Sequence, residues 1–159
     1  MKETELLKKL EEFLASSGEA EWLEFKEAKR SFNFDDMGKY FSALSNEANL
    51  KGKESAWLVF GVKDKPRSVV GTDFRTHRAS LDNLKHEIAK QTTNNITFEE
   101  IYELHTADGH RVIMYQIPAA LRGIPTAWKG HWYGGDGESL VPLGIGELEK
   151  IRGQAIRED

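Results

Sequence analysis

At 159 residues the chain is the size of one domain and long enough to bury a sizeable core, and 39% hydrophobic with 30% charged residues is not the composition of a disordered chain. A formal net charge of -4 excludes a surface that is positive all over, but not a local basic patch. The absence of cysteine removes disulfides, thiolate zinc sites and cysteine nucleophiles together and suits a cytoplasmic protein; no apolar run approaches the roughly 20 residues of a membrane span, and Met1-Lys2-Glu3-Thr4-Glu5 lacks the apolar stretch of a signal peptide.

Leu6, Leu7, Leu10, Phe13 and Leu14 recur at helical spacing and predict a helix over about 4–16, ended by Ser16-Ser17-Gly18. The next segment, Glu19-Ala20-Glu21-Trp22-Leu23-Glu24-Phe25-Lys26-Glu27, reads as a strand. Its side chains alternate, so Leu23 and Phe25 face a core while Trp22, Glu24 and Lys26 share the other face, flanked by Glu19 and Glu21. A carboxylate beside an ammonium can be a plain surface ion pair, anchor a loop, or handle a cation or phosphate. Asn33 then reads as an N-cap, ahead of an apolar stripe of Met37, Tyr40, Phe41, Leu44 and Ala48. After a polar loop over 49–55, the continuous apolar run 56–62 predicts a strand buried on both faces.

A turn over 63–67 leads to a short strand over 69–71, then to a second amphipathic helix with Leu81, Leu84, Ile88 and Ala89 on its buried face. Strands over 98–105 and 111–117 flank Ala107-Asp108-Gly109-His110, a hairpin signal. The Gly- and aromatic-rich stretch 128–137 predicts a further tight hairpin, and 145–156 a last helix. Helices and strands in this order predict an α+β domain: a mixed, mostly antiparallel sheet with helices packed on it. No repeat or low-complexity linker divides it.

Several familiar chemistries find no support. Gly52-Lys53-Glu54-Ser55 lacks the upstream glycine and the hydroxyl after the lysine that a phosphate-binding loop needs. The late glycines give no dinucleotide fingerprint. No pair of the five histidines has zinc-ligand spacing, and there is no Gly-x-Ser-x-Gly elbow. Basic residues do gather: Lys63, Lys65 and Arg67 in one turn; Arg75, His77 and Arg78 before the second helix, with Lys85 and Lys90 on it; and Trp128, Lys129, His131, Trp132 and Tyr133 in the late hairpin. Basic and aromatic groups together suit phosphate contact with base stacking. The same residues read equally well as solvated helix lysines and core-closing tryptophans.

Four motifs in order resemble the AlbA-like DNA-binding domain of the Schlafen type. Residues 19–26 resemble its opening Glu-x-x-x-x-Glu-Phe-Lys strand, and residues 40–49 its helix ending in Ala-Asn. Trp57-Leu58-Val59-Phe60-Gly61-Val62 with Val70-Gly71 is similar to its Gly-Val strand and the turn after it, and residues 125–143 resemble a closing hairpin ending in Ser-Leu-x-Pro-Leu. Two departures are visible. Lys51 to Ser55 replace a Gly-Gly pair, and Gly134-Gly135 stand where an arginine is frequent.

The resemblance covers roughly residues 18–152. It implies a helix over 1–17, an AlbA-like nucleic-acid-binding domain over 18–152 and a truncated extension over 153–159. Such domains head larger bacterial proteins that look like transcriptional regulators or helicase-related proteins, and ATP binding is among the properties ascribed to them. The leading expectation is a cytoplasmic module that binds nucleic acid, DNA ahead of RNA, without catalysis or cofactor of its own. Its contacts are expected from Lys63, Lys65, Arg67, Arg75, Arg78 and Lys129. The Schlafen branch implies the alternative, a nuclease holding Mg or Mn on Glu19 and Glu24, with Lys26 and Asp64 as further members. A dimerisation or sensor domain of a regulator, with a homodimer as its partner state, is the third reading.

Overall fold

The computed structural model describes residues 1–16, 22–135 and 139–156. Glu19 and Glu21 of the opening motif therefore lie outside the described residues. Helix α1 (Glu3–Ala15) buries Leu6, Leu10 and Phe13, as their spacing requires. Strand β1 (Leu23–Lys26) follows, then α2 (Phe34–Leu50), whose Asn33 side chain accepts from the Asp36 amide at 2.9 Å as an N-cap. The helix continues to Leu50, so the polar loop is shorter than its composition predicts.

The apolar run 56–62 is not one strand. Strand β2 (Ser55–Phe60) ends at Gly61, whose φ of 99° turns the chain into β3 (Val62–Asp64), paired with β4 (Arg67–Val69) as a separate hairpin. A Cβ on Gly61 would lie 2.9 Å from the Arg111 carbonyl oxygen, so the glycine also permits a close backbone approach. Hydropathy is blind to this break because Val62 is as buried as Phe60. The second amphipathic segment likewise divides, into α3 (Arg78–Asp82) and α4 (Leu84–Ala89), with Leu81, Leu84 and Ile88 still buried. Strands β5 (Glu100–His105) and β6 (Arg111–Pro118) form the expected hairpin. Strands β7 (Ala127–Trp128), β8 (His131–Gly135) and β9 (Leu140–Pro142) close a three-stranded ribbon before α5 (Ile145–Ile156).

The main sheet runs β1-β2-β6-β5, with β1 and β2 parallel and the other pairs antiparallel. It is the α+β arrangement, mixed but mostly antiparallel, that the element order predicts. Both faces are covered. Leu23, Phe25, Trp57, Val59, Val112 and Met114 pack under α1, while Leu58, Phe60, Ile113, Tyr115 and Ile117 pack with Met37, Phe41 and Leu44 of α2 and with α3 and α4. The alternation along β2 sends neighbouring residues into opposite cores, which is why the run reads as continuously apolar. Helix α2 is itself buried on its far side, where the β7–β9 ribbon and α5 lie against it. Among the described residues no helix is long and apolar enough to cross a membrane.

Phe41 and Phe60 are fully buried in the α2-side core, and Phe60 stacks edge-on against Tyr115 at 4.9 Å. Phe41→Ala or Phe60→Ala is expected to cost about 3–5 kcal/mol, read as a shifted midpoint in urea unfolding. Unchanged midpoints in both would contradict this core.

Candidate nucleic-acid interface

On the face of β1 opposite Leu23 and Phe25, Lys26 Nζ lies 3.6 Å from the Glu24 carboxylate and 4.7 Å above the Tyr40 ring. Partial burial pulls the Lys26 ammonium down, but the Tyr40 hydroxyl and the Glu24 charge outweigh it, and the group titrates above the ordinary lysine value. Asp64 pairs with Arg67 at 3.7 Å across the β3–β4 turn. Among the described residues no three His, Cys, Asp or Glu side chains converge as a metal site. Glu24 and Asp64 each face a cation, Lys26 and Arg67 in turn, and sit on different sheets. Glu19 lies outside the described residues.

The six expected phosphate contacts separate into three places. Lys63 and Lys65 stand exposed on the β3–β4 hairpin. Arg67, on the same hairpin, turns inward: its Nη1 donates to the carbonyls of Phe13, Leu14 and Ser16, the last at 2.7 Å, and its guanidinium lies 4.6 Å over the Phe25 ring. It caps the last turn of α1, where carbonyls lack helical partners. Arg75 is on the α3–α4 side, joined to Glu87 by two bonds of 2.6 and 3.2 Å and to the Ser80 carbonyl. Arg78 pairs with Asp82 at 2.8 Å and donates to the Ile101 carbonyl. Lys129, at the β7–β8 turn, sits 3.0 Å from Asp35 near the start of α2. That carboxyl is held below its usual range by the Trp128 indole N–H and by Lys129. Trp128 is 1% exposed and closes the core over Gly38, where a Cβ would fall 1.9 Å from the indole.

Sequence reasoning passed over two further basic residues, Lys29 and Arg30. Lys29 and Arg30 leave β1 at the sheet end where β2 and β5 also finish, and the Lys29 carbonyl accepts from the Asp73 amide at 2.8 Å. A cavity of about 340 Å³ opens there, lined by Lys29, Gly71, Thr72, Asp73, His105 and His110. A Lys-Arg pair straight after a charged strand was the available signal. The other residues named around the cavity lie 42 to 81 positions after Lys29, which sequence does not bring together. Glu27, Asp73 and Asp108 share these loops, so this end of the sheet carries mixed charge.

With this geometry, comparison with known proteins is informative. The sequence matches the Schlafen, AlbA_2 family over residues 19–143, most of the chain, and the protein belongs to that family. A crystal structure of the DIP2311 protein from Corynebacterium diphtheriae superposes with a TM-score of 0.63 at 18% identity. The match covers 94% of this chain and 28% of that one, and at this identity it speaks for the fold alone. No curated protein matches. Family membership associates the chain with nucleic acids and leaves the nature of that association to be tested.

Two expectations follow for the inward-turned arginines. Arg67→Ala removes the cap of α1 and is expected to cost about 1–3 kcal/mol, with faster amide exchange concentrated in residues 3–15. Glu87 is held low first by the Arg75 hydrogen bond. A carboxyl depressed in the folded state stabilises above its unfolded value and loses that contribution as pH falls through the folded value. Glu87→Gln should therefore lessen the fall in stability below about pH 4.5, the ordinary glutamate value. An identical acid limb in the variant would contradict the Arg75–Glu87 pair.

Proposed function

We propose that the chain is a nucleic-acid-binding module of a bacterial regulator, cytoplasmic, preferring DNA to RNA and without catalysis of its own. The observation that carries this reading is membership of the Schlafen, AlbA_2 family over residues 19–143. Geometry supports it at one point, the β3–β4 hairpin, where Lys63 and Lys65 project outward while Arg67 ties the hairpin to α1. A rigid mount that presents two ammonium groups suits contact with a phosphate backbone. Arg75, Arg78 and Lys129 are engaged in ion pairs and are expected to contribute less to binding. In this reading residues 18–152 form the binding domain, with residues 1–17 before it and 153–159 after it. The pairing of Glu24 with Lys26 and of Asp64 with Arg67 supports the non-catalytic reading.

Fluorescence anisotropy with labelled duplex DNA tests it. Binding should weaken with salt, and the Lys63→Ala, Lys65→Ala double variant should flatten the log–log salt slope by about 0.9 for each phosphate it no longer neutralises. Its affinity should fall similarly for unrelated sequences. A folded protein that binds no nucleic acid at low salt would overturn the proposal. Cleavage of RNA or DNA with Mg or Mn, abolished by EDTA and by Glu24→Ala, would replace it with a nuclease.

A further inference from the structure

A second surface lies at the opposite end of the main sheet, where β1 and β2 begin. Phe13 of α1, Trp22 just before β1 and Trp57 of β2 wall a cleft of about 360 Å³. The Phe13 ring centre is 6.0 Å from Trp22 and 5.7 Å from Trp57. Two lysines cover the indoles: Lys9 Nζ lies 5.2 Å over Trp57 and Lys53 Nζ 5.1 Å over Trp22. Tyr102 stacks on Trp57 at 6.1 Å and 25°, which fixes the indole plane.

The floor of the cleft is polar. The Tyr102 hydroxyl donates to Gln116 Oε1 at 3.3 Å, Gln116 Nε2 donates to Ser55 Oγ at 3.1 Å, and Ser55 Oγ donates to Glu99 at 3.0 Å. An amide carries two N–H donors and two carbonyl lone pairs, so this chain of bonds leaves Gln116 one donor and one acceptor over. That pair is what a side-chain amide offers to the edge of a base.

We propose that this cleft takes one unpaired nucleobase of a single-stranded nucleic acid. The proposal rests on the nucleic-acid reading above and adds the class of strand and the place where its base is held. An exposed ammonium over an aromatic face is a weaker contact than a base stacked on it. A base that enters displaces Lys9 and Lys53 from the indoles, and the freed ammonium groups meet the flanking phosphates. The cleft has the volume of a small-molecule pocket and no room for a duplex. Glu12 and Glu54 at its mouth disfavour a run of phosphates and accept from exocyclic amino groups, so binding here depends on the base.

The test compares three labelled DNAs at low salt: a single strand of about eight nucleotides, within the range of such sites, an abasic strand of the same length and charge, and a duplex. The intact single strand should bind about tenfold more tightly than the abasic one and quench indole fluorescence. Trp22→Ala should erase that preference and leave duplex binding unchanged. Lys53→Glu keeps every ring in place and gives a second reading, a larger loss for the single strand than for the duplex. Equal affinity for intact and abasic strands, with duplex binding retained, would overturn the base site alone. No binding to any of the three would overturn the nucleic-acid reading as well. The strand comparison uses the unaltered chain and does not depend on a variant folding.

Discussion

The fold depends on a polar seam buried along α2. Ser42 donates to the Thr126 carbonyl at 2.7 Å, Ser45 shares a bond with the Thr126 hydroxyl, and Asn46 donates to the carbonyls of Thr126 and Tyr133 while accepting from the Thr126 amide. The Tyr133 amide donates back to Ser42, and Asn49 reaches the Ala120 carbonyl. Ser42, Ser45 and Asn46 are fully buried. Removing any one group from such a seam leaves a partner unsatisfied away from water, a penalty larger than the gain from a single added bond. The β7–β9 ribbon therefore has one register on α2. With both its faces engaged, α2 fixes the ribbon, the main sheet and the Tyr40 ring beneath Lys26 relative to one another.

This constraint explains why the aromatic and basic residues of the late hairpin serve packing more than binding. Trp128 is drawn against Gly38 by the seam and donates its N–H to Asp35 at 2.8 Å. Lys129 follows it to the same carboxylate. Charge that looks available in the sequence is paired with acids, as with Arg75 and Glu87 and with Arg78 and Asp82.

Local signals in the sequence were legible because their physical causes are local. Helical spacing located α1, α2 and α5, the Asn33 cap marked the start of α2, and Asp108-Gly109 marked the β5–β6 turn. Alternation assigned Leu23 and Phe25 to the core and Glu24 with Lys26 to the other face. The ordered motifs named the family. Events that depend on distant backbone were not legible. Gly61 splits an apolar run because its carbonyl accepts from Val70 and Gly71. Arg67 looked like a free cation because the carbonyls it caps lie 51 to 54 residues earlier. The split between α3 and α4 falls at Asn83, in a segment whose apolar spacing carries on unchanged. Of the expected contact residues, Lys63 and Lys65 stand on one exposed hairpin, while Arg75, Arg78 and Lys129 each pair with an acid.

The parallel pairing of β1 with β2 has a kinetic consequence. The β5–β6 hairpin closes over a few residues, but β1 can join β2 only after the chain between them, residues 27–54, has folded back with α2 in place. Closing the longer loop costs entropy before its contacts form. By that measure the β5–β6 hairpin closes first, β1 joins β2 next across residues 27–54, and β2 meets β6 last across residues 61–110. The strand that bears the family's opening motif thus belongs with α2 and β2 to one unit of assembly, and the main sheet is completed only when that unit meets the β5–β6 hairpin.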